Sequence, residues 1–198
     1  MPIAINGSGT VTGISTGGIS DTKAVADAAL PVGSILQVKQ SKKIDVSSTT
    51  DDDFVDIPGT DEAGSGSVWE CNITLAVANN VLVIPLVQTA GVDATNLRLL
   101  RTTSGSDTSI AVGATATSKL STFWGAYCGG ASDGTGYFGT IPVSGYWLDV
   151  NPGVGTHTYR IQYHEDSSQT SYINRSSYDG SYYNIRPAST LTLMEVKA

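Results

Sequence analysis

The chain has 198 residues, 22 of them glycine, and carries 18 acidic against 11 basic side chains for a formal net charge of −7. With no Lys/Arg cluster it lacks the means of neutralising phosphates on which nucleic-acid binding rests. It is long enough to bury roughly 70% of its unfolded surface, and a charged fraction of only 15% with abundant Thr, Ser and Gly points to an all-β fold rich in turns.

The opening Met1-Pro2-Ile3-Ala4-Ile5-Asn6 has neither the basic n-region nor the apolar h-region of a secretory signal. No run reaches the length of a membrane-spanning helix. From Asn6 to Gly18, glycines and small polar residues alternate with single β-branched residues, a composition that cannot build a core alone. Ile3, Ile5, Val11, Ile14 and Ile19 nonetheless recur regularly, as expected of an extended anchoring arm that pairs with something else. Ser20 or Asp21 caps a candidate short helix through Leu30, where Pro31 stops it. Its stripe of Val25, Ala28 and Ala29 is narrow, so the helix needs partners, with copies of itself as one source. The chain thus divides into an arm over 1–31 and a strand-forming region over 32–198.

Beyond Pro31, strand signals follow one another. Leu36 and Val38 open a run that passes through Lys42, Ile44 and Val46 into a turn-rich Ser47–Asp53. Phe54–Ile57 reads as a short strand ended by Pro58-Gly59. The clearest alternation sets Trp69, Cys71, Ile73, Leu75 and Val77 on one face against Glu70, Asn72 and Thr74 on the other. Asn79-Asn80 turns the chain into Val81–Ile84, where Pro85 argues for an edge or a bulge. Leu97–Arg101, Ile110–Val112 and Tyr146–Val150 follow, and Asn151-Pro152-Gly153 leads into His157, Tyr159, Ile161 and Tyr163. Tyr172–Arg175 and a closing strand complete a set of eight to ten. In that closing strand Leu191 and Leu193 share one face while Thr190, Thr192, Met194 and Val196 share the other, so both faces have something apolar to bury. The pattern predicts a central strand that forms part of the core or of a subunit interface. The expected fold is an all-β, jelly-roll-like β-sandwich preceded by the extended arm and its candidate helix.

Chemistry is sparse. Cys71 and Cys128 fall in no metal-ligand spacing, and Cys71 reads as a small buried hydrophobe. Three sequons, at Asn6, Asn72 and Asn174, carry little meaning without an export signal. His157 and His164 lie seven residues apart, on opposite faces of a strand and roughly 23 Å from one another, too far to share a metal. His164, beside Glu165 and Asp166, reads as a surface turn rather than a cation site. The Asp51-Asp52-Asp53 run lacks the spacing of a calcium loop and reads as a solvated turn. No nucleophile elbow, Cys/His pair or phosphate-cradling loop is present, so no catalytic residue, cofactor or metal is expected. Tyr172, Tyr178, Tyr182 and Tyr183, interleaved with Asn174 and Asp179, form the one suggestive cluster. Rings and short amides suit a saccharide, but the same composition serves loop packing or a subunit interface, and that reading is favoured.

Pro31-Val32-Gly33-Ser34-Ile35-Leu36-Gln37-Val38, Phe54-Val55-Asp56-Ile57, Tyr159-Arg160-Ile161-Gln162, Tyr172-Ile173-Asn174-Arg175 and above all Ser189-Thr190-Leu191-Thr192-Leu193-Met194-Glu195-Val196 resemble a domain of virion structural proteins of tailed bacteriophages, the head and tail fibre proteins. The resemblance covers Pro31 to Ala198, and the Met1–Ile19 arm looks like the start of such proteins. It implies a homotrimeric β-sandwich on the capsid surface or tail, assembled in the host cytoplasm. The chain lacks the long repetitive shaft of a full tail fibre. Two functions compete under this resemblance. One is a non-enzymatic capsid decoration or short head fibre, a closed trimer anchored to a capsid or tail protein by the arm. The other is host attachment, with the Tyr-rich loops of a tail fibre contacting a surface glycan. Neither involves nucleic acid or membrane.

Overall fold

A computed structural model describes residues 30–59, 68–91, 94–114, 120–127, 139–165, 169–180 and 185–198. The arm residues Ile3, Ile5, Val11, Ile14 and Ile19 and the candidate helix lie outside them. Among the described residues there is no helix. The described residues form thirteen strands: β1 Ile35–Lys43, β2 Ser47–Thr49, β3 Val55–Asp56, β4 Glu70–Leu75, β5 Asn80–Gly91, β6 Ala94–Thr103, β7 Ser106–Ile110, β8 Trp124–Tyr127, β9 Ile141–Ser144, β10 Trp147–Asp149, β11 Gly155–Glu165, β12 Ser171–Ile173 and β13 Ser189–Val196.

They form two antiparallel sheets that pack as a β-sandwich. In the first, the order is β1-β13-β5-β12-β2, with β9 and β10 also on β5. In the second it is β3-β11-β6-β7, with β4 also on β11 and β8 on β6. Each is called here by its central strand, the β5 sheet and the β11 sheet. Their inner faces meet in one core that includes Trp69, Ile73, Val83, Leu99, Tyr159, Ile161, Leu191 and Leu193. Leu191 and Leu193 are fully buried, and each such side chain stabilises the fold by about 1.5–3 kcal/mol. The closing strand is central, paired with β1 on one side and β5 on the other. Beyond it, Lys197 exchanges backbone hydrogen bonds with Gly33 and Ser34, both 2.9 Å, so the last residues are tied to the start of β1.

Local chemistry explains most boundaries. Ser104 and Gly105, with φ of 50° and 79°, make the two-residue turn between β6 and β7, since two left-handed residues match the twist of a hairpin. Asn151 and Gly153 also take left-handed φ in the turn before β11. Four sequence expectations need correction. Ser47–Thr49 is a strand rather than a turn, because Ile173, Tyr172 and Ser171 of β12 offer it a backbone ladder. The β4 strand ends at Leu75, and Val77 is exposed where Asn79 N donates to its carbonyl and the chain reverses. His164 is buried in β11 rather than on a surface turn, with Phe54 stacked over it at 5.1 Å between ring centroids. Pro85 marks neither an edge nor a bulge. On the flank of β5 away from β13, β10 pairs Val83 with Trp147 and β9 pairs Leu86 with Ser144 in one continuous register, and the ladder is interrupted only between them, where Pro85 has no N–H to give.

Candidate functional site

Two features could do work: the outer faces of the sheets, and a groove at the edge of the β5 sheet. The outer face of the β11 sheet is covered by a polar lattice. Arg160 Nε lies 2.9 Å from Asp56 Oδ1, Arg160 also pairs with Asp107, and its Nη1 donates to Thr102 Oγ1 at 2.8 Å. Gln162 donates to Asp56 and accepts from Arg98, Thr158 donates to Asn72, and Thr74 and Thr156 share a hydrogen bond. At one end Arg98 stacks on the Phe54 ring, 4.2 Å from its centroid, and Phe54 in turn covers His164. The hydrogen bond from Thr102 holds the Asp107 carboxyl below its ordinary range, with Arg160 adding to the effect.

The outer face of the β5 sheet is different. Register places Val38, Met194, Leu82 and Leu148 side by side in one row across β1, β13, β5 and β10. Gln40, Thr192 and Ile84 form the next row. Val38 is 53% exposed and Leu148 42%. Of the outward positions of β1, β13, β5, β9 and β10, Lys42 alone carries a charge.

Where this face meets the interruption opposite Pro85, a cavity of about 960 Å³ opens to solvent, lined by Leu82, Ile84, Phe123, Trp124, Tyr146 and Trp147 together with Ala111, Ser144 and Gly145. Gly145 leaves room for it: a Cβ there would stand 3.1 Å from Trp124 Cζ3 and 3.2 Å from Phe123 Cζ, so a larger residue would push those rings back from the link between β9 and β10. Tyr146 is 78% exposed.

The charges that are buried serve the fold. Asp149 reaches from β10 across the core to the β11 sheet, where Arg101 Nη1 meets both its oxygens at 2.8 Å and Tyr159 donates to Oδ2 at 2.8 Å. Burial first, and then Asp149, push the Tyr159 hydroxyl well above the usual phenol range. Lys43 is fully buried, donates to the Pro58 carbonyl at 2.5 Å and lies 3.0 Å from Asp45, and burial lowers its ammonium despite that carboxylate. His157 is buried with both ring nitrogens engaged, by Thr103 Oγ1 at 2.9 Å and the Gly153 carbonyl at 3.0 Å. Cys71 is buried and free, its thiol pushed up to about 11 by burial.

The sequence-predicted cluster is less open than its composition suggests. Tyr182 and Tyr183 lie outside the described residues. Asn174 is not on the surface: it is fully buried with a left-handed φ of 62°, donates to the carbonyls of Lys43 (2.8 Å) and Asp45 (3.0 Å), and accepts from Ser189 Oγ (2.6 Å). Its amide is consumed in stitching the end of β1 to β13. Asp179 is held by Arg175 at 3.2 Å and Arg186 at 2.6 Å. Arg175 also covers one face of the Tyr172 ring, 4.4 Å from its centroid. Tyr178 is exposed. Leu191 and Leu193 face the core, while Met194 and Val196 are half-buried on the outer face. The carboxylates of Asp51, Asp52 and Asp53 lie within 4.8 Å of one another and are all exposed, as solvated acidic turns commonly are.

Sequence reasoning did not find the groove. The signal was two aromatic pairs, Phe123-Trp124 and Tyr146-Trp147, the second following a glycine that leaves room for the first. No protein-family model matches the chain, and no curated protein matches it.

Proposed function

We propose that this chain is a non-enzymatic structural protein of a tailed-phage virion, a trimeric capsid decoration or short head fibre whose N-terminal arm anchors it to a capsid or tail protein. The observation that carries the reading is the contrast between the sandwich's two outer faces: one is laced with ion pairs, the other is almost uncharged across four strand columns, with the apolar row of Val38, Met194, Leu82 and Leu148 beside neutral Gln40 and Thr192. An apolar patch rimmed by neutral polar residues is a common mark of an interaction surface. A subunit of a closed assembly needs one. The closing strand, the strongest mark of resemblance to virion proteins, contributes Met194 and Val196 to that face.

The test removes residues 1–30. The shortened protein keeps its mass as an assembly but no longer joins particles when added to an assembling virion, as seen by imaging labelled particles. Incorporation at full-length level would contradict the anchoring role. A second reading, attachment to a host glycan, is favoured by the groove: Trp124, Tyr146 and Trp147 line it, and aromatic rings are the side chains on which sugars stack. Trp124→Ala with Trp147→Ala abolishes retention on host polysaccharide if that reading is right, and leaves retention unchanged if the groove only packs.

A further inference from the structure

We infer that the outer face of the β5 sheet is covered by a second copy of this chain. The inference rests on the self-association reading above and adds to it the surface through which the copies meet. Area supports that occupant. Four strand columns at about 4.8 Å, along the eight residues of β13 at about 3.3 Å each, make a patch of about 500 Å². Two such patches meeting face to face remove about 1,000 Å² from water, the size at which a specific interface begins, and three turned to a common axis remove about 1,500 Å² in all.

Charge supports it as well. Each copy carries a net −7, so copies repel at a distance, and the surface through which they meet must bury no carboxylate. Across β1, β13, β5, β9 and β10, the outer face of this sheet meets that condition: its inward-facing acids, Glu195 and Asp149, are turned to the other side. Glu195 accepts from Gln37 at 2.5 Å and Asn79 at 2.7 Å, so its charge is already satisfied inside the fold. The β11 sheet does not meet it, because covering that face would strip water from Asp56, Asp107, Arg98 and Arg160. The aromatic groove is continuous with the β5 face, sharing Leu82 and Ile84, and gives the arriving copy a recess for an apolar side chain.

The experiment is sedimentation velocity on the full-length protein over a range of micromolar concentrations. Four proteins are compared: wild type, Val38→Glu, Met194→Glu and Thr156→Glu, the last on the outer face of the β11 sheet. Wild type and Thr156→Glu are expected at more than one chain mass. Val38→Glu and Met194→Glu are expected at single-chain mass with wild-type circular dichroism, their association weakened at least 100-fold. Should Met194→Glu fail to fold, Val38→Glu decides, since Val38 sits half-exposed on the edge strand β1. If wild type and both β5-sheet variants associate equally, the inference is overturned while self-association stands. A wild type at single-chain mass throughout overturns both, including the case in which a different molecule or this chain's own arm covers the face. Equal disruption by Thr156→Glu overturns the assignment to this sheet.

Discussion

The two sheets of this sandwich are alike inside and unlike outside. Inward, both supply aliphatic and aromatic side chains to one core; outward, β11 carries Thr, Arg and Gln at alternate positions, while β13 carries Thr, Met and Val and β5 carries Leu and Ile. The inner alternation explains why the chain folds. The outer difference is not needed for folding, which makes it evidence about what the folded chain does next. An ion-paired face is at home in water, whereas a row of Val38, Met194, Leu82 and Leu148 gains by leaving it.

That comparison can be broken or sharpened by substitution. The largest effect is expected at the layer both sheets share. Leu193→Asp places an unpaired charge at a fully buried position, costs about 4 kcal/mol or more, and leaves no soluble folded protein by circular dichroism. Normal yield and assembly would mean that β13 is not in the core. Next come the charges that cross between the sheets against those that lie on one outer face. Asp149→Ala strands Arg101 in a mostly buried site and removes the acceptor of Tyr159, for about 3 kcal/mol in urea denaturation. Arg160→Ala, which removes ion pairs on the water-facing side, costs about 1 kcal/mol or less. Equal losses would erase the distinction between a bridging charge and a surface lattice.

A pH dependence on the alkaline side is expected as well. Burial raises the Cys71 thiol from 9.0 to about 11, so the folded state holds a proton that the unfolded state releases. Its contribution is fully present below pH 9 and is lost as pH rises through about 11. Tyr159 and Tyr163, also raised by burial, act in the same sense above pH 10. Lys43, lowered by burial, acts in the opposite sense, its cost relieved as pH approaches 10.5. Denaturation midpoints should fall more steeply between pH 9 and 11 in wild type than in Cys71→Ala; the same profile in both proteins would contradict the buried thiol.

Much of this fold was legible because a half-buried strand writes its period into the sequence. Trp69, Cys71, Ile73 and Leu75 all proved buried, as did Tyr159, Ile161, Tyr163, Leu191 and Leu193. What could not be read was set by partners distant in the chain. Ser47-Ser48-Thr49 has turn composition, yet β12 pairs with it and makes it a strand. Asn174 has the composition of a ligand contact, yet two backbone carbonyls and Ser189 take its amide. Pro85 was read as a strand's margin because proline cannot donate, and the fold places the missing donor at a gap within an interior strand. The aromatic groove depends on Phe123 and Trp124 closing over Gly145, a contact that no local pattern announces. The apolar row on the outer face needed the registers of β1, β13, β5 and β10 together before it could be seen.

The central claim concerns whether that row is open to water in the assembled protein, and Met194 reports on it directly. The chain has two methionines, Met1 and Met194, so dilute peroxide followed by peptide mass spectrometry follows Met194 without interference. Oxidation of Met194 in the full-length protein should slow as concentration rises through the association range, and should stay fast at every concentration in Val38→Glu. A rate for Met194 that is the same in dilute and concentrated wild-type protein would contradict the claim that a second copy covers the β5 sheet.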